Sequence, residues 1–253
     1  MQAKHTEAAT TAEDRQFWAG HGHLTIEQLV DPGDVRVVGD VLDDLFRRFD
    51  ALSSRWTHQV ALPDGRAGSL EVTLTTELEP SLRSSTLFKA CEAVASELLG
   101  CSAKFFFDHT IRKPSAIGTG TAWHQDRAYN LVEPQRDRVH FWVRMADVDV
   151  EGGCMQFVPG SHLWGLLDHR PIPDDPAGHT LEVVDDHDGK AVAVPLRLGG
   201  ASMHGQLTMH KTGPNRSDVE RTAWILQFVR PRTMGEHLTA ATRRFRPTGP
   251  ARL

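Results

Sequence analysis

The chain has 253 residues, of which 40% are hydrophobic, and a net charge of −5, which suits one large domain with a sizeable core. It contains no basic cluster and no apolar run long enough to span a bilayer, so nucleic acid and membranes are not expected as partners. The first residues, "MQAKHTEAATTAEDRQF", lack the apolar segment of a signal peptide, and a cytoplasmic location is expected. The three cysteines form no CxxC pair, which argues against a disulfide framework and a cysteine zinc site.

The first 103 residues predict helices with a few strands. Residues 13 to 20 predict a short helix that leads into a strand at "HGHLTI". Apolar residues recur at helical spacing in "GDVRVVGDVLDDLFRRFDAL" and in "SSTLFKACEAVASELLG", where Gly100 is placed to cap the helix. Between these helices, residues 53 to 82 contain a turn-like "PDGRAG" and a strand-like "SLEVTL".

From residue 104 onwards the sequence changes to short β-rich runs separated by Gly, Pro and Asp. These runs are "KFFFDHTIRK", "RVHFWVRMADV", "CMQFVPG", "AVPLRL", "ASMHGQLTMH" and "RTAWILQFVRP". No helical segment alternates with them, which argues against a parallel α/β sheet. The pattern predicts a mainly β fold, a jelly roll or barrel with the N-terminal helices packed on one side.

We predict a single domain. It has N-terminal helices and strands over residues 1–103, a β core over 104–231 and a C-terminal extension over 232–253. The polar stretch 168–190 predicts a long loop, which is either a lid over a substrate or a solvated excursion. The sequence carries no signal for the oligomeric state.

The stretch "TAWHQDRAYN" places His124 and Asp126 two residues apart. A chain with 14 histidines and 33 acidic residues contains about two His-x-acid pairs by chance, and two occur, the other being His5–Glu7. Spacing alone therefore does not identify a metal site. In a strand, however, residues i and i+2 point to the same face, so we expect His124 and Asp126 to aim two ligands into the mouth of a barrel.

The stretch "HKTGPNRSDVER" supplies a third ligand and a cation. His210 ends a predicted strand, a Gly-Pro-Asn turn follows, and Arg221 opens the next strand, which predicts a hairpin with the two side chains close together. Two histidines and one carboxylate form the facial triad that holds Fe(II) and leaves coordination positions open. An arginine nearby is suited to grip a carboxylate through two parallel hydrogen bonds.

Three motifs in this order, "WHQD", "EGGCMQFVPGSH" and "HKTGPNRSDVER", resemble the phytanoyl-CoA dioxygenase family of non-haem iron(II)/2-oxoglutarate-dependent oxygenases. The resemblance covers about residues 104 to 231, and the opening "QFWAGHGHLTI" is also similar to the usual start of the family. It implies a double-stranded β-helix, a cupin-like jelly roll. It also implies a dioxygenase that oxidises a small molecule with Fe(II), 2-oxoglutarate and O2.

The resemblance further implies a role for each of seven residues. The implied metal ligands, which are also the catalytic residues, are His124, Asp126 and His210. The implied 2-oxoglutarate-binding residues are Arg221 on the distal carboxylate, Thr212 beside it, and Thr121 and Trp142 nearby. The contact to the other end of 2-oxoglutarate stays open, with Asn130 and Gln156 as alternatives.

Hydroxylation is the default outcome that the resemblance implies, because similar halogenases replace the carboxylate ligand with a small residue and this chain keeps Asp126. Cyclisation, epimerisation and desaturation on the same scaffold stay open. The overall texture of the chain resembles natural-product tailoring oxygenases.

Other histidines and other protein classes offer alternatives to this interpretation. His204 is excluded as a ligand because no Gly-Pro-Asn-x-Ser pattern follows it, and His109 and His140 are interpreted as core or rim histidines. A zinc-dependent hydrolase is one alternative, although it would not need Arg221. A catalytically silent jelly-roll binding protein is another, although it has no reason to keep the ligands and the cation together.

Overall fold

The computed structural model describes residues 10–61, 67–116, 120–131, 135–172, 181–184 and 187–232. His5, part of the turn-like "PDGRAG" and nearly all of the expected C-terminal extension lie outside the described residues. Within the described ranges, no helix is both long and apolar enough to cross a membrane.

A capping side chain stands at the start of each of the three longer helices. Those in the described part of the chain are α1 (Ala12–His21), α2 (Pro32–Arg47), α3 (Thr75–Leu78) and α4 (Thr86–Leu99). The Asp31 side chain accepts a hydrogen bond from the Gly33 N–H at the start of α2, and Ser85 accepts one from Phe88 at the start of α4. Gly100 ends α4 in the left-handed conformation, with φ 63°, which favours glycine. The three helices predicted from the sequence are therefore confirmed.

Short strands follow, as the sequence predicts. The strands are β1 (His23–Ile26), β2 (Thr57–Ala61), β3 (Ala67–Thr73), β4 (Lys104–Lys113), β5 (Thr121–His124), β6 (Arg138–Arg144), β7 (Met155–Phe157), β8 (His169–Pro171), β9 (Leu181–Val183), β10 (Val192–Val194), β11 (Ala201–Gly205), β12 (His210–Thr212) and β13 (Arg221–Val229).

Two antiparallel sheets dominate the structure. The larger sheet has seven strands in the order β1-β11-β6-β13-β4-β3-β2, and the smaller has four in the order β10-β7-β12-β5. Strands β8 and β9 form a separate two-stranded ladder. This mainly β arrangement, with helices against the larger sheet, confirms the predicted jelly roll.

Strand β6 shows how the larger sheet separates the core from the space between the sheets. Val139, Phe141 and Val143 are fully buried in the hydrophobic core shared with α2 and α4. Successive side chains of a strand point to opposite faces, so the alternate residues His140, Trp142 and Arg144 face the smaller sheet. The helical layer thus leaves the other face of the sheet free for polar groups.

The prediction of a long loop over residues 168–190 is wrong in the parts that the structure describes, and residues 173–180 and 185–186 lie outside the described residues. His169–Pro171 and Leu181–Val183 pair as antiparallel strands, and Asp188–Lys190 forms a turn of 3-10 helix. These strands are only three residues each, which is too short for a periodic pattern to be recognised in the sequence.

The predicted hairpin from His210 to Arg221 is also wrong. His210 opens β12 in the smaller sheet and Arg221 opens β13 in the larger one, so the connection crosses between sheets. The fully buried side chain of Asn215 anchors this crossing, because its amide nitrogen donates to the carbonyls of Pro114 and Val219 at 2.9 Å each. The two residues face each other across the barrel and not along one ribbon.

Candidate active site

His124 and His210 are direct neighbours on adjacent strands of the smaller sheet. They pair in the register of β5 and β12, and their ring centroids are 4.2 Å apart. Their Nε2 atoms lie 3.6 and 3.7 Å from Oδ1 of Asp126. One donor atom from each of the three residues lies within 4.8 Å of the others. The set of two imidazole nitrogens and one carboxylate oxygen fits a single divalent transition metal.

A backbone carbonyl sets the tautomer of each ring. Nδ1 of His124 lies 2.8 Å from the Ala122 carbonyl oxygen, and Nδ1 of His210 lies 2.9 Å from that of Thr208. A carbonyl oxygen only accepts hydrogen bonds, so Nδ1 carries the proton and Nε2 presents a lone pair. Burial, reinforced by the nearby His204, holds the pKa of His210 well below its usual range, which keeps the ring in the neutral, metal-binding form.

Asp126 lies in a different structural element from the one predicted. Strand β5 ends at His124, and Asp126 begins the 3-10 turn Asp126–Asn130, so the expectation that both residues lie on one strand is wrong. At the intervening residue, the fully buried Gln125, the backbone N–H donates to Nε2 of His169 at 3.0 Å. The ladder that contains His169 therefore supports the site from outside the smaller sheet.

Asp126 is ionised in this environment. Burial alone would raise the pKa of its carboxyl group, but the adjacent His140 and His210 hold the pKa well below its usual range. We call His124, Asp126 and His210 the metal end of the site.

Arg221 is buried at the start of β13, with 3% of its surface exposed. Its Nη1 donates to the Gly153 carbonyl, and its guanidinium lies 5.5 Å from the ring centroid of Trp142. Gly153 has a φ of 75°, and a Cβ there would come within 2.4 Å of the Gly213 oxygen. The turn that receives Arg221 therefore requires glycine. Burial lowers the pKa of Arg221 to about 10.

Lys113 is a second buried cation, which the sequence analysis did not identify. The register of β4 and β13 pairs it with Arg221, and its Nζ lies 3.1 Å from Oγ1 of Thr212 and 3.5 Å from Oγ1 of Thr121. The two threonine hydroxyls are 2.8 Å apart. Burial, followed by the charge of Arg221, holds the pKa of Lys113 well below its usual range. The available signal was the period of two that places Lys113 on the same face as His109, although a lysine at a strand end is typical of an exposed position.

Arg144 is the third cation, and only 2% of its surface is exposed. Its Nη1 donates to the Thr222 carbonyl at 2.6 Å, and burial followed by the charge of Arg221 lowers its pKa to about 9. Among the described residues, no carboxylate oxygen lies within 4.0 Å of the charged nitrogens of Lys113, Arg144 or Arg221. We call these three residues the cationic end, and their lack of a carboxylate suits an anionic ligand.

One cavity of about 110 Å³ connects the metal end with Lys113 and Arg221 of the cationic end. All seven residues that the family resemblance implies line this cavity. Asn130 and Gln156, the alternatives for the second 2-oxoglutarate contact, do not line it, so neither is favoured. Arg144 lies on the other side of Arg221, and both line a neighbouring cavity of about 380 Å³.

Two histidines that the sequence analysis set aside approach Asp126 from its other side. Nδ1 of His140 and Nε2 of His204 lie 2.6 and 3.0 Å from Oδ2 of Asp126. His140 is a buried residue, as expected, but its contact with the carboxylate depends on pairing between strands far apart in sequence, which leaves no local signal. The proposed ligand His210 and the excluded His204 are themselves neighbours, with ring centroids 3.9 Å apart.

The fold and the site define a jelly-roll protein in which two histidines and one carboxylate, a group that could hold a metal ion, lie next to buried cations. The sequence profile of the phytanoyl-CoA dioxygenase (PhyH) family matches residues 18–223. The chain belongs to this family.

Individual relatives support the same assignment. "Phytanoyl-CoA dioxygenase domain-containing protein 1" of Danio rerio is 34% identical over 47% of this chain, and the match spans 42% of that protein, less than half of its length. A "probable alpha-ketoglutarate-dependent hypophosphite dioxygenase" of Stutzerimonas stutzeri is 25% identical over 86% of this chain and 78% of its own. The structure of EvdO2 from Micromonospora carbonacea var. aurantiaca complexed with 2-oxoglutarate superposes with a TM-score of 0.74. It is 27% identical and covers 91% of this chain and 94% of its own.

Proposed function

We propose that this protein is an Fe(II)/2-oxoglutarate-dependent dioxygenase that oxidises a small molecule, with hydroxylation as the default reaction. One observation carries the proposal: a single cavity is lined by the three candidate ligands and by two buried cations that have no carboxylate partner among the described residues. The 2-oxoglutarate complex of EvdO2 and the dioxygenase names of the relatives support it.

In this proposal His124, Asp126 and His210 hold Fe(II). Their donor atoms fit the ion, because the tautomers of both rings leave Nε2 bare and the carboxyl group is ionised. When bound, the metal supplies the oxidising chemistry together with 2-oxoglutarate and O2. The protein contributes ligands, orientation and a buried site.

The cationic end binds the distal carboxylate of 2-oxoglutarate. Arg221 pairs with this carboxylate, and Thr212 donates its hydroxyl to it, as the family resemblance implies. Lys113 adds a second positive charge next to the same carboxylate. Its Nζ lies within hydrogen-bond distance of the hydroxyl of Thr212. Thr121 joins the same hydroxyl pair, and Trp142 forms the wall against the guanidinium. Burial of these groups excludes water, which strengthens each charge-assisted hydrogen bond.

The two alternative protein classes would each leave part of the site without a role. A zinc-dependent hydrolase has no use for the uncompensated Lys113 and Arg221 on the cavity wall. A silent jelly-roll binding protein has no use for two histidines held in the metal-binding tautomer. Cyclisation, epimerisation, desaturation and a role in natural-product tailoring stay open within the oxygenase. The cytoplasmic location stays a prediction from the sequence, and we propose no nucleic-acid or membrane partner.

The test is anaerobic addition of Fe(II) and 2-oxoglutarate, which should give a visible metal-to-ligand charge-transfer band. His124→Ala should abolish the band in protein that stays folded by circular dichroism. With O2 admitted, the wild-type protein should convert 2-oxoglutarate to succinate without added substrate, at a slow rate. A band that persists in His124→Ala would contradict the ligand set, and hydrolysis supported by Zn(II) with no succinate would favour the hydrolase.

A further inference from the structure

The carboxylate of Asp126 lies between two pairs of histidines, and each of its oxygens faces one pair. Oδ1 is directed at the proposed ligands His124 and His210, at 3.6 and 3.7 Å from their Nε2 atoms. Oδ2 is directed at His140 and His204, at 2.6 and 3.0 Å. The first pair of distances leaves room for an ion between the atoms, whereas the second pair are hydrogen bonds.

The second pair of histidines is held rigidly by the larger sheet. His140 on β6 and His204 on β11 are cross-strand partners in the antiparallel register, and they are 2% and 3% exposed. The ring of His204 also contacts Phe157, with centroids 5.5 Å apart. Neither strand carries a ligand of the metal end, so the contact joins the larger sheet to the turn that presents Asp126.

Both ring nitrogens face the same carboxylate oxygen, Oδ2, which acts as the acceptor of the two hydrogen bonds. Nδ1 of His140 and Nε2 of His204 are therefore the protonated nitrogens. The opposite nitrogens, Nε2 of His140 and Nδ1 of His204, are buried and have no hydrogen-bond partner within the described ranges. Among the described residues, the bond to Oδ2 of Asp126 is therefore the one polar contact of each of these two buried side chains.

We propose that His140 and His204 are positioning residues that clamp Oδ2 of Asp126 and thereby hold Oδ1 towards the metal. The inference rests on the proposed function of His124, Asp126 and His210 as ligands. Asp126 follows the end of β5, so its strand does not orient it, and the clamp supplies the orientation that a strand would otherwise provide. Hydrogen-bonding partners of metal ligands typically change metal affinity by roughly 10- to 100-fold when removed.

A second metal ion is the competing interpretation, since Asp126, His140 and His204 also place donor atoms within 4.8 Å of one another. Metal–nitrogen and metal–oxygen bonds are each about 2.1 Å, so two ligand atoms on one ion are normally separated by roughly 3 Å or more. The 2.6 Å contact between His140 and Asp126 is too short for an ion between them. The arrangement therefore favours direct hydrogen bonds.

The two histidines use different nitrogens, which allows a matched set of variants. An asparagine amide reaches about as far as Nδ1 and a glutamine amide about as far as Nε2, so His140→Asn and His204→Gln keep a donor at the right place. His140→Phe and His204→Phe keep the ring and remove the donor. His23→Phe is the control, because His23 is a buried histidine paired with His204 across β1 and β11 but does not contact Asp126.

The readout is anaerobic titration with Co(II), followed by its visible absorption, and the rate of Co(II) release to a chelator. We expect roughly 10- to 100-fold weaker binding and faster release in the two Phe variants. We expect affinity near that of the wild type in His140→Asn, His204→Gln and His23→Phe. Metal-free thermal unfolding confirms that each variant is folded before the titration.

The outcomes separate this inference from the proposed function. Unchanged Co(II) affinity in His124→Ala would overturn the ligand set itself. Loss of Co(II) in His124→Ala, with unchanged affinity in both Phe variants, would overturn the positioning role alone. Equal loss in the Phe and amide variants would overturn it in favour of packing. Binding of two Co(II) ions per chain would overturn it in favour of a second metal site.

Discussion

The metal end and the cationic end of the cavity treat buried charge in opposite ways. At the metal end, the carboxylate of Asp126 is surrounded by imidazole rings, two of them in direct hydrogen-bond contact. At the cationic end, the hydrogen bonds of Lys113, Arg144 and Arg221 are to hydroxyl and carbonyl oxygens, and no carboxylate among the described residues balances their charge. One end is electrostatically satisfied in the folded chain and the other is not.

The difference indicates that folding alone orders the metal end, whereas the cationic end lacks a counter-charge until an anionic ligand binds. A buried charge with polar partners is held in place, so the metal end is preorganised before any ion binds. A buried cation without a counter-charge is costly, and an anion that binds the folded chain recovers that free energy. Substitutions at the metal end should therefore remove metal binding. Substitutions at the cationic end should weaken 2-oxoglutarate binding, and removal of a buried cation should stabilise the ligand-free protein.

The largest effect is expected at the metal end. His210→Ala removes one of two nitrogen ligands and should abolish retention of Fe(II) after anaerobic loading and desalting, measured by metal content. His5→Ala, at a histidine outside the proposed ligand set, is the control and should retain the ion. Fe(II) retained by folded His210→Ala would mean that the metal end is not the binding site.

The next effect is expected for Arg221. Arg221→Ala leaves a desolvated carboxylate without its partner and should weaken 2-oxoglutarate binding by roughly 2–5 kcal/mol, or about thirtyfold to several thousandfold. Arg221→Lys should weaken it less, because an ammonium makes no planar pair of hydrogen bonds. Fe(II) binding should persist in both. Titration of 2-oxoglutarate into the iron-loaded variants measures the effect, and unchanged affinity in Arg221→Ala would remove Arg221 from the site.

A smaller effect, on stability and not on ligand binding, is expected from the protonation of His23. His23 is buried next to Phe157, and burial, followed by His21 and His204, lowers its pKa to about 4. The unfolded chain then binds more protons than the folded chain between about pH 6.5 and 4, so the free energy of unfolding falls as the pH drops through this window. The loss is at most about 3 kcal/mol. His23→Phe should flatten this part of the profile, measured by urea unfolding against pH, and an unaltered slope would contradict the assignment.

The smallest effect, and the one of opposite sign, is expected at Lys113. Lys113→Met replaces a buried amine that has no carboxylate partner among the described residues, and it should stabilise the ligand-free protein by about 1–3 kcal/mol. The same variant should bind 2-oxoglutarate roughly tenfold more weakly, or about 1.4 kcal/mol. Thermal unfolding with and without 2-oxoglutarate measures both effects. A destabilised ligand-free variant would show that the cationic end is balanced after all.

The local sequence was sufficient for much of the fold and for the proposed ligands. Apolar spacing predicted α2 and α4, and β-rich runs separated by Gly and Pro predicted the strands of the jelly roll, because both signals depend on neighbouring residues. The motifs "WHQD" and "HKTGPNRSDVER" predicted His124, Asp126, His210 and Arg221 as site residues, and these four residues line one cavity. These residues could be predicted because each of the two motifs is a short, continuous stretch of the sequence.

Only the tertiary structure shows which other residues lie next to the four site residues predicted from the sequence. Lys113 meets Arg221, and His140 meets His204, through the register of strands that are far apart in the chain. His140 and Lys113 look like ordinary strand residues, since their roles depend on which strands become neighbours and not on any local pattern. The side of the sheet that each faces follows from the period of two, but the partner across the barrel follows only from the closure of the two sheets.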